Sequence, residues 1–485
     1  MKTKNMLWTV LSMTAALVMT ACTNDDNTAE TPAAQQTIVK TIPFSVTVSG
    51  DAMTRATVDD NPSDATYHKT LRFETDDKLY ITGTDIRGVL GIQSVTGDGT
   101  RATFSGDLTY SGGGSPATDL ALTATLVSVK QNDGTEVAIN SETNAVTVNY
   151  PTAAYCSSVY NAVREYSRLT GTSTYGAKSF TLTQQTAFLN FKIYFTDGTA
   201  SGTALSTAVS NGGSAIATAD VTTTTDTYGN IVAEFVLPFD STDKLNGATV
   251  KMGDKDAISF GGNDQTLDGK VYNITRGYYG SLSTTSAAKL GQTVSTDGKL
   301  YPRKIALPSG VTALAVVAYV GGDAETSTTY NHGLALALSD VSYTWAWCSQ
   351  KSNTCLTSQY SSVTDAKGDL AGIANTDVLV GTTPHSHGDN AAKAARGYNS
   401  GTHPDGTSEW FLPSVGQWDK MATAAGGYEN LKTNAGLESS YYWSSTESGA
   451  DSDYSDSSWY FCFDDGHWYQ AFKDAFHYVR ACLAF

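Results

Sequence analysis

Basic side chains are scarce in this sequence. The chain has 31 lysines and arginines against 48 aspartates and glutamates, which gives a formal net charge of −17 at pH 7. A surface of this sign repels polyanions, so nucleic acid and anionic membranes are poor partners. The apolar run at residues 6–18 is too short to span a bilayer, and no later segment is a candidate transmembrane helix. Membrane attachment would therefore depend on a lipid.

Known catalytic motifs are also absent. The chain contains no GxSxG, HExxH or P-loop sequence, and no cysteine spacing typical of zinc sites. Nothing indicates a pair of carboxylates placed for glycoside hydrolysis. The expectation is therefore a protein that is not an enzyme, with a hydrolase or oxidase in the C-terminal region as the weakest alternative.

Cysteine is infrequent, with six in the chain. If Cys22 is set aside, an odd number remains, so at least one is unpaired within the chain. Cys348 and Cys355 are candidates for a local disulfide in an oxidising compartment. Cys462 and Cys482 are candidates for a second, although the sequence alone does not fix this connectivity.

The N-terminus has the pattern of a secretory signal peptide over residues 1–21, with two lysines, an apolar run and small residues before Cys22. The stretch MTAC resembles a bacterial lipobox, which implies that Cys22 is acylated and anchors the chain as an outer-membrane lipoprotein. An ordinary signal peptide is the alternative. Residues 22–36 have no apolar periodicity and are interpreted as a tether. Its TNDD sequence resembles a surface-export tag but is equally consistent with a solvated linker.

From residue 37 onward, apolar and polar residues mostly alternate with period two, which indicates β-strands. The pattern predicts a mainly β protein of the sandwich type, with two strand-rich blocks at residues 37–152 and 153–280. One segment is instead predicted to be a helix that Gly171 ends. Its apolar residues recur at helical spacing, and they are Val159, Ala162, Val163, Tyr166 and Leu169. The Thr/Ser-rich stretch 281–293 is interpreted as a linker.

The first predicted strand, residues 37–48, has one strongly apolar face interrupted only by Lys40. That face consists of Ile38, Ile42, Phe44, Val46 and Val48. Burial of five such side chains contributes on the order of 8 to 15 kcal/mol, which is comparable to the stability of a whole domain. Loss of the strand would leave a groove that another strand must fill, which is a form of β-augmentation.

The lipobox and the segments MTRAT, DDKLYITG, FSGDL and FTLTQQTAFLNFKI resemble the fimbrillin-like proteins, which are subunits of type V pili and related surface lipoproteins. The resemblance covers about residues 1–280 and implies two sandwiches of transthyretin-like topology. It also implies cleavage by an arginine-specific protease between Arg55 and Ala56, followed by donor-strand exchange with other fimbrial subunits. The alternative is that Arg55 is an ordinary loop residue and the first strand is permanent.

Residues 289–485 resemble a different group, the domains related to C-type lectins and formylglycine-generating enzymes. The motifs are STDGKLYP, HGLALALSDV, EWFLPSVGQWDKM, YYWSSTE and HYVRACLAF. The resemblance implies an irregular, loop-rich α+β domain and no particular chemistry. Directly from the residues, Ser414 and Gly426 predict the start and stop of a short helix, and WYFCFDDGHWYQAF predicts two aromatic strands joined by a turn. A bulky C-terminal domain favours a pilus-tip subunit over a stalk subunit.

Three groups of residues in this region are candidate binding sites. Aromatic rings can stack on sugar faces, and the candidates are Trp410, Trp443, Trp459 and Trp468, with core packing as the alternative. A second group has carboxylates suited to calcium but lacks the register of an EF-hand loop: Asp451, Asp453 and Asp456. The alternative for this group is a solvated acidic loop. A weaker transition-metal candidate that lacks a fourth partner is His385, His387 and Asp389.

Taken together, these features predict an adhesive structural subunit at the tip of a pilus, assembled by donor-strand exchange and displaying a lectin-like domain. The expected partners are other fimbrial subunits and a glycan or protein on a host or bacterial surface. No cofactor is expected apart from the candidate calcium site. The alternative is a lipid-anchored, non-polymerising protein that binds glycan or host protein.

Overall fold

The computed structural model describes residues 39–50, 73, 75, 77–96, 99–127, 138–140, 146–147, 156–240, 243–269, 271–282, 288–348, 354–381, 390–449 and 456–485. Within these ranges the chain is mainly β, as predicted, with several separate sheets. None of the helices found there has both the length and the apolar character needed to cross a membrane. The predicted signal peptide and tether lie outside the described residues.

The first unit is a seven-stranded sheet that closes into a barrel in the order β1-β4-β3-β2-β5-β8-β9, with β6 and β7 as a separate pair. Period-two alternation directs one face of each strand inward, around Leu79, Phe104 and Leu122. The strands are β1 Lys40–Gly50, β2 Lys78–Gly83, β3 Ile86–Val95, β4 Arg101–Tyr110, β5 Ala121–Val127, β6 Ala138–Ile139, β7 Val146–Thr147, β8 Arg168–Thr174 and β9 Ser179–Gln184.

The barrel extends past the boundary predicted near residue 152, because β8 and β9 belong to it. The predicted helix is present as α1 Val159–Tyr166, capped by Ser158, but it ends earlier than expected. Leu169 and Gly171 lie in β8 instead. Leu169 is fully buried in the barrel core, and a Cβ at Gly171 would lie 2.2 Å from the carbonyl oxygen of Thr181. Gly171 is thus required by strand packing rather than by a helix end.

The second unit is a sandwich of two four-stranded sheets, β13-β14-β10-β19 and β12-β11-β16-β17, with β15 and β18 as a separate pair. The sheets share a core in which Phe191 and Phe235 stack with ring centroids 4.7 Å apart. The strands are β10 Thr186–Phe195, β11 Ala204–Asn211, β12 Ser214–Thr222, β13 Thr224–Thr225, β14 Ile231–Asp240, β15 Lys244–Leu245, β16 Thr249–Met252, β17 Ile258–Ser259, β18 Gln265–Thr266 and β19 Val271–Tyr278.

A tight junction joins the two units, since only Gln185 separates β9 from β10. Helix α1 packs on the outer face of the sandwich against Phe188 and Val236. Arg168, at the start of β8, donates to both carboxylate oxygens of Asp240 in β14 at 2.7 Å. The junction is therefore fixed by an ion pair and by apolar packing.

The C-terminal unit is an α+β domain built on the five-stranded sheet β21-β20-β22-β23-β29, with a three-stranded sheet β25-β26-β27 and the pair β24-β28. The predicted helix is α5, which begins with a capping box between Ser414 and Gln417 and ends at Gly426, where φ is +82°. The elements are β20 Thr293–Ser295, β21 Leu300–Tyr301, β22 Ala313–Val320, β23 Gly333–Ala337, β24 Trp345–Ala346, α2 Val363–Ala366, α3 Gly372–Val380, α4 Ala391–Arg396, α5 Val415–Ala425, α6 Tyr428–Ala435, β25 Tyr441–Glu447, β26 Ser457–Cys462, β27 His467–Phe472, β28 Phe476–His477 and β29 Cys482–Ala484.

The predicted linker 281–293 differs from the structure at both of its described ends. Leu282 and Ala288 are buried in the core of the C-terminal domain, and β20 begins at Thr293. The Thr/Ser-rich composition concealed these apolar anchors, because two well-placed side chains suffice to hold a polar segment against a core.

Candidate functional sites

Strand β1 closes the barrel between two strands that have no other contact with each other in the sheet order. On one side it forms ten antiparallel residue pairs with β4, from Lys40–Tyr110 to Ser49–Arg101. On the other side it forms only four parallel pairs with β9, at residues 47–50. If β1 were absent, β4 and β9 would become the edges of an open sheet.

The inward face of β1 fills the core at one end of the barrel. Phe44, Val46 and Val48 are between 0 and 3% exposed, whereas Ile42 is half-buried. Ile38 lies outside the described residues. The structure thus buries three of the five predicted side chains, which contributes roughly 5 to 9 kcal/mol. This is less than the sequence-based value, but it is still within the range of the stability of a small domain.

Contacts at both ends hold β1 in place. The Phe44 ring stacks on Tyr175 with centroids 5.3 Å apart, and the Lys178 ammonium lies 3.9 Å from the Phe44 centroid. The Thr47 amide donates to the Lys178 carbonyl at 3.0 Å, and burial lowers the pKa of the Lys178 side chain. At the other end, Lys40 Nζ donates to the Gly114 carbonyl at 3.0 Å.

The predicted processing residues are not part of this geometry. Cys22, Arg55 and Ala56 lie outside the described residues, which include β1 up to Gly50. Lipidation and cleavage therefore remain predictions from the sequence.

Three of the four tryptophans predicted to bind a ligand are core residues. Trp410, Trp443 and Trp459 are at most 5% exposed, and each indole N–H donates to a backbone carbonyl within 3.0 Å. Trp468 is half-buried, and its indole N–H donates to the Tyr428 hydroxyl at 2.9 Å. Burial contradicts ligand binding by the first three, because no face of their rings is open to a sugar.

A different set of aromatic side chains is exposed on the sheet β25-β26-β27. The cross-strand rings of Tyr441 and Tyr460 lie 5.6 Å apart, and those of Tyr460 and Tyr469 lie 5.8 Å apart and are stacked. Tyr441 and Tyr469 are 43% and 42% exposed. We call Tyr441, Tyr460 and Tyr469 the tyrosine face. These amphipathic rings can stack on sugar faces, which is the mode of binding that was predicted for the tryptophans.

His477 lies behind the tyrosine face, with its ring centroid 4.4 Å from that of Tyr460 and 4.4 Å from that of Trp443. Burial lowers the pKa of His477 to about 4, so the ring is neutral at pH 7. The charge next to the face comes from Asp465, which accepts a hydrogen bond from the Tyr469 hydroxyl at 2.9 Å.

Strand alternation could have located the tyrosine face in part. In the segment WYFCF, alternation directs Trp459 and Phe461 to one side of β26 and Tyr460 to the other. The sequence does not indicate which side is covered. The side that carries Trp459 and Phe461 packs against helices and loops, and Tyr460 is consequently on the more open side.

The described chain provides little support for a metal site. The backbone carbonyl of Asp456 accepts the Lys473 amide at 2.8 Å, and Asp451 and Asp453 lie outside the described residues. His385, His387 and Asp389 also lie outside the described residues. Among the residues that are described, no three His, Cys, Asp or Glu side chains are grouped closely enough to hold a metal ion.

Neither predicted disulfide is formed. The sulfur atoms of Cys348 and Cys355 lie 3.9 Å apart, whereas a disulfide bond is about 2.05 Å long. A hydrogen bond between these two thiols, together with burial, raises the pKa of Cys355. Cys462 in β26 and Cys482 in β29 are both free thiols in the structure.

A buried ion pair next to these cysteines was not predicted. The side chains of Glu447 and Lys473 are both 0% exposed and form a salt bridge. The Glu447 carboxylate also accepts the backbone N–H groups of Cys355 and Leu356, with the shortest contact at 2.6 Å. This arrangement attaches the segment after residue 354 to β25. Sequence patterns do not reveal this ion pair, because the two charged residues are 26 positions apart.

Comparison with known proteins found no matching family model and no matching curated protein. Among solved structures, a fimbrial protein from Bacteroides ovatus aligns with 92% of this chain and 100% of its own, at 15% identity and a TM-score of 0.31. A fimbrial assembly protein from Parabacteroides distasonis aligns with 50% of this chain and 93% of its own, at 14% identity and a TM-score of 0.24. A tip fimbrial protein from Porphyromonas gingivalis aligns with 46% and 80%, at 8% identity and a TM-score of 0.20. The function of these proteins is not carried over to this chain at such low similarity.

Proposed function

We propose that this chain is an adhesive structural subunit of a fimbrium, in which β1 is replaced by a donor strand from another subunit. The observation that carries the proposal is the placement of β1. It is the first strand in the chain among the described residues, and it alone closes the barrel between β4 and β9.

Removal of β1 would create a groove that favours strand addition. The freed edge of β4 would be ten residues long, with the backbone groups of about every second residue unpaired, and the exposed core would include Phe104, Leu108 and Phe180. An incoming strand with alternating apolar residues would restore both the hydrogen-bond ladder and the burial. Since the pairing with β4 is the longer one, we expect the donor to lie antiparallel to β4.

In this proposal the chain reaches the outer membrane as a lipoprotein acylated at Cys22 and is then cut between Arg55 and Ala56. Cleavage is needed because a strand that is covalently attached has a very high local concentration and outcompetes any donor. Once the connection is cut, β1 is retained only by non-covalent contacts, namely its burial, its backbone hydrogen bonds and the contacts of Lys40 and Lys178.

We further propose that the C-terminal domain is lectin-like and binds a glycan on a host or bacterial surface, which corresponds to a tip position. The tyrosine face supports this, because pyranose rings present apolar C–H groups that stack on exposed aromatic rings. The domain also presents further exposed aromatic side chains, with Phe476 at 66% and Phe472 at 55%.

The second candidate function is a lipid-anchored binding protein that does not polymerise. The contacts made by Lys40 and Lys178 favour it, since they hold β1 at both ends of the strand. The mature N-terminus of surface protein distinguishes the two. Ala56 supports the fimbrial subunit, whereas Cys22 alone supports the anchored protein.

The assembly half is tested with a chain that begins at Ala56 and a synthetic peptide of residues 38–50. We expect the truncated chain to bind this peptide and to regain barrel stability. A peptide with Val46→Asp should not bind, since it places a carboxylate in the core. A truncated chain that is already as stable as the full chain would contradict the proposal.

The adhesive half is tested by glycan-array binding of the full-length protein, with and without calcium. Tyr460→Ala should abolish binding to any glycan that the wild type recognises, whereas Tyr343→Ala is the matched control. Tyr343 is an exposed tyrosine of the C-terminal domain, 85% accessible, and lines neither the tyrosine face nor any other proposed site. Equal binding by both variants would exclude the tyrosine face as the site.

A further inference from the structure

A cleft of about 680 Å³ lies between the second unit and the C-terminal domain, separate from both β1 and the tyrosine face. One wall is the end of β19 with the residue that follows it, Tyr279. The other wall is the segment 304–309. The volume is within the range of small-molecule binding sites, about 300 to 1,000 Å³.

The floor of the cleft is built from two tyrosines on the outer face of the sandwich. Tyr194 is 2% exposed. The Tyr279 ring packs directly against Gly277, because a Cβ added to this glycine would lie 2.4 Å from the ring. Burial raises the pKa of Tyr279 to about 12, an effect that the nearby charge of Arg276 opposes. Burial also raises the pKa of Tyr194. Both hydroxyls therefore remain protonated at neutral pH and can donate hydrogen bonds.

The charged side chains that line the cleft are both basic, Arg276 and Lys304, and the lining contains no carboxylate. Arg276 donates to the carbonyl oxygens of Ser259 at 3.1 Å and Thr275 at 2.8 Å. Lys304 Nζ lies 5.3 Å from the centroid of the Tyr228 ring. Neither cation forms an ion pair with any residue that the structure describes. In a chain of net charge −17, two such cations in one cleft are a strong local departure from the average.

The walls of the cleft are held in position without a ligand. The side chain of Asn230 forms two hydrogen bonds with the backbone of Arg303, the residue that precedes the second wall: it accepts the Arg303 amide at 2.8 Å and donates to the Arg303 carbonyl at 3.0 Å. The Thr196 hydroxyl donates to the Leu300 carbonyl at 2.6 Å. A site that is already ordered loses less entropy when a ligand binds.

We propose that this cleft binds a carboxylate-bearing saccharide, one or two uronic acid residues in size. The two cations provide charge-assisted hydrogen bonds for the carboxylate. The tyrosine hydroxyls can donate to ring or hydroxyl oxygens, and the half-buried side chains of Ile305 and Leu307 offer apolar surface to the C–H groups of the sugar. This site is independent of the proposed function, since it involves neither strand exchange nor the tyrosine face.

An acidic peptide would also carry carboxylates, but the backbone of the cleft is poorly suited to it. Peptides that extend a sheet need free backbone acceptors at the sheet edge. The Arg276 side chain already satisfies the carbonyls of Ser259 and Thr275 where β17 and β19 approach each other. The cleft therefore favours a compact ligand over an added strand.

The test is isothermal titration of the full-length protein with digalacturonate, with the neutral disaccharide of galactose and with triglutamate. We expect binding of digalacturonate that weakens with added salt, and no measurable binding of the other two. The double variant Arg276→Gln, Lys304→Gln should bind digalacturonate at least about tenfold more weakly. Lys251→Gln, which removes an exposed lysine of β16 outside the cleft, should bind as wild type.

Each other outcome would overturn the inference. Absence of digalacturonate binding would exclude the ligand class, and equal binding by the double variant would exclude this cleft. Triglutamate binding as tight as that of the sugar would assign the cleft to acidic peptides. The thermal unfolding of the double variant must match that of wild type. If it does not, the single variant Lys304→Gln replaces it. Lys304 is exposed, and the hydrogen bonds to the backbone of β17 and β19 come from Arg276 instead.

Discussion

The contribution of β1 to the barrel can be measured with two neighbouring substitutions. Val46 is 1% exposed and directed into the barrel core, whereas Thr47, the next residue, is exposed. Val46→Ala removes two carbon atoms from the core without removing the strand. Thr47→Ala changes the same strand on its outer face and is the matched control.

The expected magnitudes follow from burial. Two lost methyl groups cost about 1.6 kcal/mol in transfer free energy, and the cavity that remains raises the total to roughly 2 to 3 kcal/mol. A change at an exposed position costs within about 0.5 kcal/mol. Val46→Ala should therefore destabilise the barrel several times more than Thr47→Ala does.

Native-state hydrogen exchange is the suitable assay, because a multi-domain chain does not unfold in one transition. The amides of β4 that point towards β1 are hydrogen-bonded to it, so their protection reports opening of the barrel. We expect Val46→Ala to lower this protection roughly 30- to 150-fold. Amides of β14 belong to the second unit and should keep their protection in both variants. Equal protection of β4 in the two variants would refute the argument that burial of β1 holds the barrel closed.

Three further outcomes are expected. Lys473→Met leaves the Glu447 carboxylate buried without its counter-ion and should cost roughly 3 to 5 kcal/mol of C-terminal domain stability in urea; the double variant with Glu447→Gln should recover part of this loss. The pKa of His477 is lowered to about 4 in the folded state, so the unfolded state binds a proton first as the pH falls from about 6.5 to 4. The stability of the folded protein should therefore decrease over that interval. Thermal unfolding measured at a series of pH values should show a smaller decrease for His477→Phe. Gly171→Ala places a Cβ 2.2 Å from a backbone oxygen and should destabilise the barrel by about 1 to 3 kcal/mol in hydrogen exchange, whereas Gly91→Ala, with nothing within 4 Å, should be tolerated.

Local patterns in the sequence were sufficient for the class of fold and for the inward face of β1. Alternation over residues 42–48 distinguishes Phe44, Val46 and Val48 from their exposed neighbours, and the structure buries these three. Such a pattern is local, because adjacent residues of a strand point to opposite sides.

The domain boundary could not be predicted in the same way. The segment FTLTQQTAFLNFKI reads as one continuous β pattern, yet its first half is β9 of the barrel and its second half is β10 of the sandwich. The change occurs at Gln185, and nothing in the alternation marks it. Which core a strand belongs to is decided by long-range pairing, such as that of β8 with β5.

The binding residues were predicted by chemical type but not by position. Trp443 and Tyr460 are cross-strand neighbours, and only the tyrosine is more than slightly exposed. The two side chains lie on the same face of the sheet, so exposure depends on what packs over each residue, and that information is spread over the whole domain. The cleft was not predicted either, since Arg276 and Lys304 come from different units and are joined only by tertiary contacts.

The junction between the barrel and the sandwich constrains how the chain could carry load. Between β9 of the barrel and β10 of the sandwich the chain has only Gln185, and the Arg168–Asp240 ion pair and the packing of α1 on the sandwich reinforce this junction. Force applied along the chain would therefore pass from β9 directly into β10, which is hydrogen-bonded on both sides, to β14 and to β19. By contrast, β1 has a full ladder on one side and four residue pairs on the other. Strand β1 is thus less completely paired than β10, and a donor with a longer pairing to β9 would strengthen the barrel on the side where β1 forms only four residue pairs.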